Sequence, residues 1–199
     1  MRVSFRSLES LTERIWQGKS MSRLASPGSG WFLPVIQVGN LSTSGLLPDI
    51  EEIEISDHPG EDAFVKVGYV LLGQATSNMT AVAIDDEHFE RYVAGPNIAI
   101  FAPKDEVLPS YLAGMLNTET VRRQLRRRAG GGMTKQVSLE ELRRFSIPLP
   151  SIEDQALLVE MFEAALETES LAKQAIQAQG HALEQAASQL WERAEEASA

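Results

Sequence analysis

The chain contains no cysteine in its 199 residues. That excludes a disulfide scaffold, a thiolate zinc site and a cysteine nucleophile. Three histidines, His58, His88 and His181, are too scattered to suggest a zinc site. No apolar run reaches the roughly 18 residues that a membrane span needs. The opening residues, MRVSFRSLESLTERIWQGKS, lack the apolar core of a signal peptide. The expectation is a soluble cytoplasmic protein with no membrane partner. Catalytic signatures are missing as well. No G-x-S-x-G holds a nucleophile, and Gly130-Gly131-Gly132 followed by Met-Thr-Lys lacks the spacing of a phosphate loop. Asp85-Asp86-Glu87 reads as a solvated turn rather than a metal site. His58 and His88 read as exposed loop residues. No catalytic residue, metal or cofactor is therefore expected.

What is present is a hydrophobic fraction of 43%, enough for a sizeable core. The net charge of −10 argues against nucleic acid as a partner, but it is unevenly distributed. Residues 1–40 carry five basic and two acidic groups, and residues 101–150 carry nine and five. Residues 41–100 carry two basic and eleven acidic groups, and residues 151–199 carry two and ten. Two basic regions alternate with two acidic ones.

Leu8, Leu11, Ile15 and Trp16 fall on one face of a short amphipathic helix over residues 8–17. A stretch rich in Gly, Ser and Pro follows, from Gly18 to Gly30, carrying Lys19 and Arg23. Apolar or alternating runs predict strands at 31–38, 50–56, 66–72, 80–84 and 97–101, with turn residues between them. From residue 107 the period becomes helical. Thr118 is placed to cap a second helix that contains Arg122, Arg123, Arg126, Arg127 and Arg128. Ser138 with Glu141 is a capping-box pattern that opens another short helix. Ile147 to Pro150 is extended, because each proline biases its predecessor away from helix. The fold class expected is α+β, with a twisted, mostly antiparallel β-domain over residues 1–150.

Residues 151–199 contain no proline and one glycine, Gly180. Leu158, Met161, Phe162, Ala165, Leu166, Ile176, Leu183 and Leu190 lie on one apolar stripe. Unbroken, this helix would be roughly 70 Å long at 1.5 Å per residue, too long to pack wholly on the preceding domain. A partner helix is expected for the stripe, and a fold-back at Gly180 is the alternative.

Five arginines fall between residues 122 and 128, ahead of a glycine-rich turn whose N–H groups can approach a phosphate. A solvated helix paired to the acidic middle segment is the competing reading. The order of motifs resembles the specificity (S) subunit of type I restriction-modification systems, and specifically one half of it. PVIQVGNLSTSGLL (34–47), VGYVLL (67–72), NIAIF (97–101) and LPSYLAGMLNTETVRRQL (108–125) are similar to successive blocks of that family. The most specific stretch is GGGMTKQVSLEELRRFSIPLPSIEDQ (130–155), where Pro148, Pro150, Glu153 and Gln155 stand nearly as the family pattern has them. Two departures are Tyr69 after Gly68, where an acidic residue is usual, and the absence of an arginine after Phe101.

The resemblance implies a non-catalytic target-recognition domain at 1–150 that reads half of a split site in double-stranded DNA. It implies a spacer helix at 151–199 that pairs with another such helix and docks a methyltransferase subunit, and through it a restriction subunit. A chain with one domain and one helix would restore the two-domain architecture as a homodimer. Arg126, Arg127, Arg128 and Lys135 are the first candidates for phosphate contact, followed by Lys19 and Arg23. Gln37, Asn40, Asn78 and Gln136 are candidates for base reading, because amide side chains pair with base edges. For Asn40 a role as a turn residue is an equal alternative. A second function stays open: an interaction protein that has lost DNA binding and acts as a decoy or assembly inhibitor.

Overall fold

The computed structural model describes residues 3–20, 31–55, 58–130 and 135–198. The chain divides into two compact units, Met1–Val159 and Glu160–Ala199.

The first unit begins with β1 (Ser4–Ser7), one helical turn α1 (Leu8–Leu11) and β2 (Thr12–Gln17). This corrects the single helix expected over 8–17. Ser7 Oγ accepts the Ser10 N–H and caps one turn, which buries Leu8 and Leu11. Thr12 to Gln17 then extends and pairs antiparallel with a later strand, with Ile100 opposite Trp16 and Phe101 opposite Ile15. The i, i+3, i+7 spacing of Leu8, Leu11 and Ile15 suits one turn plus a strand as well as a helix. Strand pairing in the core decides between them.

The expected strands β3 (Trp31–Ile36) and β6 (Glu52–Ile55) are shorter than read, and between them stands a brief hairpin that was not expected, β4 (Leu41–Ser42) and β5 (Gly45–Leu46). Next come β7 (Val70–Gly73), β8 (Ala81–Ala83), β9 (Val93–Ala94) and β10 (Ile98–Pro103). The strand expected from Lys66 starts only at Val70, because Gly68 has a positive φ of 86° and the Tyr69 N–H closes a turn on Lys66 O.

The central sheet has the order β2-β10-β7-β8, all antiparallel, and a smaller sheet has the order β6-β3-β9. Only the β3–β9 pair among the described strands is parallel. Ile36, Leu71, Val82, Ala94, Ile98 and Ile100 form one core cluster. Alternation along the strands sends Leu72, Ala99 and Phe101 to the opposite face of the central sheet. The helix α2 (Pro109–Asn117) packs on β7 and β8, contributing buried Tyr111, Leu112 and Leu116. Asn117 continues the edge strand β8 with its side chain: Oδ1 accepts the Ala81 N–H and Nδ2 donates to Ala81 O.

Thr118 caps α3 (Glu119–Arg128) by accepting the Val121 N–H, and Ser138 caps α4 (Leu139–Arg144) by accepting the Glu141 N–H. The segment expected to be extended is β11 (Ser146–Leu149), which pairs with β1. The last element is α5 (Ile152–Ser198). It runs unbroken through Gly180, so the fold-back considered for that glycine is not what the structure adopts. None of the described helices is long and apolar enough to cross a membrane.

Candidate nucleic-acid interface

One end of the central sheet gathers most of the residues singled out in the sequence. The organiser is the turn after β7. On one side of it, the Thr76 N–H donates to Lys135 O at 3.0 Å, and Ala75 bridges Gln136. On the other, Asn78 Nδ2 donates to Val38 O at 2.9 Å. The turn from Gln37 to Asn40, residue Asn78 and the Lys135–Gln136 strand therefore flank a single loop. A glycine is required where this turn begins. A β-carbon on Gly73 would run into the carbonyl of Asn78.

The two flanks differ in charge. On the Gln37–Asn40 side the amides are engaged internally. Gln37 Nε2 donates to Glu51 at 3.1 Å. Asn40 Oδ1 accepts the Gln37 N–H, and its Nδ2 donates to Asp49 O, both at 2.8 Å. Asn40 sits in a 3-10 turn with ordinary backbone angles, so it is a turn residue without a left-handed conformation. Asn78 Oδ1 accepts the Thr80 hydroxyl at 3.0 Å. These internal bonds fix the orientation of the three amides and leave each only part of its donor and acceptor capacity for base reading.

The Lys135 flank is basic. Gly130 and Gln136 exchange both backbone hydrogen bonds, at 3.1 and 3.0 Å. Arg128 lies over the Phe145 ring, 4.8 Å from its centroid, which anchors the guanidinium while leaving it exposed. Arg127 and Lys135 are exposed, and no ion pair ties either of them among the described residues. Arg126 is tied: its Nη1 meets Glu119 Oε1 at 3.0 Å. A cleft of about 600 Å³ runs here, lined by Gln17, Gln74, Arg128, Gly130, Gln136 and Val137 among others. Gln74 is buried in its floor. Its Nε2 donates to Val137 O at 3.0 Å, and its Oε1 has no hydrogen-bond partner among the described residues. Sequence reasoning missed Gln74 and Gln17, since nothing in their spacing marks them. Only the folding of the strand ends brings them to this cleft.

The other basic groups are largely engaged. Arg122 is half-buried, with Nη2 donating to Asn117 Oδ1 at 2.7 Å, and burial together with neighbouring Arg126 lowers its pKa. Lys19 meets Asp62 at 3.7 Å and Arg14 meets the same carboxylate at 3.4 Å. Arg6 pairs with Glu106 at 3.4 Å. Arg23 lies outside the described residues. The competing reading of the arginine run, a solvated helix paired to the acidic middle segment, holds for none of the recorded pairs of α3, since Arg126 finds its acid within α3 itself.

Elsewhere, Asp86 opens a 3-10 turn by accepting the His88 N–H at 2.8 Å. His58 and His88 line a cleft of about 450 Å³ with Phe32, Phe64 and Tyr92, in which Phe32 is 63% exposed. No group of three or more His, Asp or Glu side chains among the described residues could hold a metal ion. On α5, the stripe side chains Met161, Ala165, Ile176, Leu183 and Leu190 are exposed, and Leu158, Phe162 and Leu166 are half-buried.

Comparison with known proteins gives a consistent picture. The family model described as the type I restriction modification DNA specificity domain matches residues 22–179. No curated protein matches the chain. A chain from a structural study of complex assembly and conformational transition in the type I R-M system has a TM-score of 0.63 at 18% identity, over 87% of this chain and 40% of its own length. The HsdS subunit from Thermoanaerobacter tengcongensis has a TM-score of 0.64 at 16% identity, over 86% of this chain and 44% of its own. The type I restriction-modification system S subunit from M. genitalium has a TM-score of 0.56 at 14% identity, over 87% and 41%. At these identities the likeness is one of fold. The chain spans about two fifths of the length of these structures.

Proposed function

The chain belongs to the family of the type I restriction modification DNA specificity domain, and from that premise we propose that it is a non-catalytic DNA-specificity subunit that reads one half of a bipartite duplex site. The observation that carries this reading is the basic flank at the sheet end. Arg128 lines a cleft together with the amides of Gln17, Gln74 and Gln136, beside the paired Gly130 and Gln136, and Arg127 and Lys135 are exposed next to these residues in the chain. Cations there neutralise phosphates, and amides nearby supply the donor–acceptor pairs that base edges need.

Residues 1–150 form the target-recognition domain in this proposal, and residues 151–199 the spacer and dimerisation helix. The exposed stripe supports that assignment. Ile176 and Leu183 are 69% and 72% exposed, an apolar area that calls for a partner helix. The net acidity of residues 151–199 keeps the helix off DNA and leaves it for protein. A second copy on this stripe gives a C2 homodimer with two identical recognition domains in opposite orientation. The methyltransferase subunit docks on the same helices and brings the restriction subunit.

A map of methylated adenines in the source genome, with and without the gene, tests the proposal. Loss of a split, palindromic motif on deletion is the expected result. A non-palindromic motif rules out the symmetric homodimer, and an unchanged map rules out the specificity role. A second reading, a decoy that pairs with a complete S subunit without binding DNA, is favoured by one observation. Arg6, Arg14 and Lys19, three of the five basic groups of residues 1–40, are tied to Glu106 and Asp62. Under that reading the purified chain fails to bind duplex DNA at low salt.

A further inference from the structure

We infer that Asn97 is a positioning residue for DNA binding, which ties the segment Lys135–Val137, with the cation of Lys135, to the end of the central sheet. The inference rests on the DNA-binding reading above.

Asn97 has a φ of 63° and is the one non-glycine residue with a positive φ among those described. Left-handed backbone costs an ordinary side chain free energy, and glycine would adopt it freely. Asparagine tolerates it and adds an acceptor, and this asparagine uses both of its oxygens. The backbone oxygen accepts the Gln74 N–H at 2.9 Å, and Oδ1 accepts Gln136 Nε2 at 3.2 Å. One residue thus holds both Gln74 and Gln136.

Gln74 extends the tie. Its backbone oxygen accepts the Val137 N–H, and its side-chain amide donates to Val137 O, both at 3.0 Å. With the Thr76 N–H on Lys135 O, the segment Lys135–Val137 is fixed to the turn after β7. Asn97 Oδ1 is the one side-chain contact in this set that reaches Gln136 from a third segment, the turn before β10. A cation on a fixed strand meets a phosphate without first paying the entropy of ordering its loop. Lys135, exposed and without an ion pair among the described residues, is the cation so placed.

The test is a double-mutant cycle on the full chain, with anisotropy of a labelled duplex of random sequence at low salt as the readout. Asn97→Gly keeps the left-handed backbone and its bond to Gln74, and deletes the bond to Gln136. It should weaken binding about three- to tenfold, and Lys135→Ala should do so to a similar extent. The double variant should bind no more weakly than Lys135→Ala alone, because Asn97 acts through that segment. A general loss of folded protein would instead multiply the two effects. Wild-type binding by Asn97→Gly, or multiplied effects, overturns the inference.

Amide hydrogen exchange without DNA gives an independent arm. Asn97→Gly should speed exchange at Gly130 and Gln136 while the Ile98–Gly73 ladder stays protected, and unchanged exchange at those two residues overturns the inference. Gln136→Met cuts the same bond from the other side and must reproduce the exchange result. If Lys135→Ala binds as wild type while Arg127→Ala weakens binding, this inference fails and the DNA-binding reading survives. A wild-type chain that binds no duplex at all overturns both.

Discussion

Gln155 Oε1 accepts the backbone N–H of Leu108 at 2.9 Å. The same amide donates from Nε2 to Glu106 O at 2.9 Å and to Pro150 O at 3.1 Å, and the residue is fully buried. A helix-opening glutamine thereby fastens the first turn of α5 to the connection that enters α2. Gln155→Leu keeps the volume and strands one N–H and two carbonyls away from water. The expected loss is roughly 3 kcal/mol, read as a lower urea midpoint with an unchanged slope.

Tyr111 ties the same region from the other side, its hydroxyl donating to Pro148 O at 2.6 Å. Burial pushes its pKa from 10.0 up to about 12. The folded state therefore holds the phenolic proton more tightly than the unfolded chain does. The resulting stability is fully present below pH 10 and is lost as pH rises towards about 12. Tyr111→Phe should lower stability at neutral pH by about 1 kcal/mol. It should also flatten the alkaline decline relative to wild type, which thermal melts across that range would show.

Glu119 holds Arg126 at 3.0 Å on an exposed face. Glu119→Gln removes a negative charge from the basic flank and frees that guanidinium. Duplex affinity at low salt should rise by a few-fold, and the gain should vanish near 0.5 M salt as the charges are screened. A gain that persists at high salt would show that the effect is not electrostatic.

Arg127→Ala should flatten the dependence of log affinity on log salt by about one unit, as expected for one lost phosphate contact. Lys19→Ala should change it less, because Lys19 already faces Asp62 at 3.7 Å. Salt titrations of both variants against one duplex compare them directly.

Gly180 lies within α5, and a β-carbon there would meet nothing within 4 Å. Gly180→Ala should stabilise the helix by about 0.5–1 kcal/mol, seen as a higher melting temperature by circular dichroism. Leu183→Asp with Leu190→Asp should instead leave the helix formed and reduce the chain to a monomer in sedimentation velocity, since the two leucines lie on the apolar stripe.

The sequence by itself determined the elements whose signals are local. Ser138 and Thr118 cap the helices they were expected to cap. The prolines of 147–150 keep that stretch extended, and the composition of residues 151–199 makes one long helix. Capping, proline sterics and helix propensity act within a few residues, so one chain displays them. The tertiary structure decided what depends on partners distant in sequence. Thr12 to Gln17 became a strand because β10 lies beside it. The arginine run sorted into half-buried Arg122, paired Arg126 and open Arg127 through Asn117, Glu119 and solvent. Gln74 and Asn97, unmarked as site residues in the sequence, came to hold Gln136 and Val137 because strand ends far apart in the chain converge there, as the bonds Gln74–Asn97, Gln136–Asn97 and Gln74–Val137, the last two 39 and 63 residues apart, record. Hydrogen bonds across such separations follow from strand order and register, which no local pattern encodes.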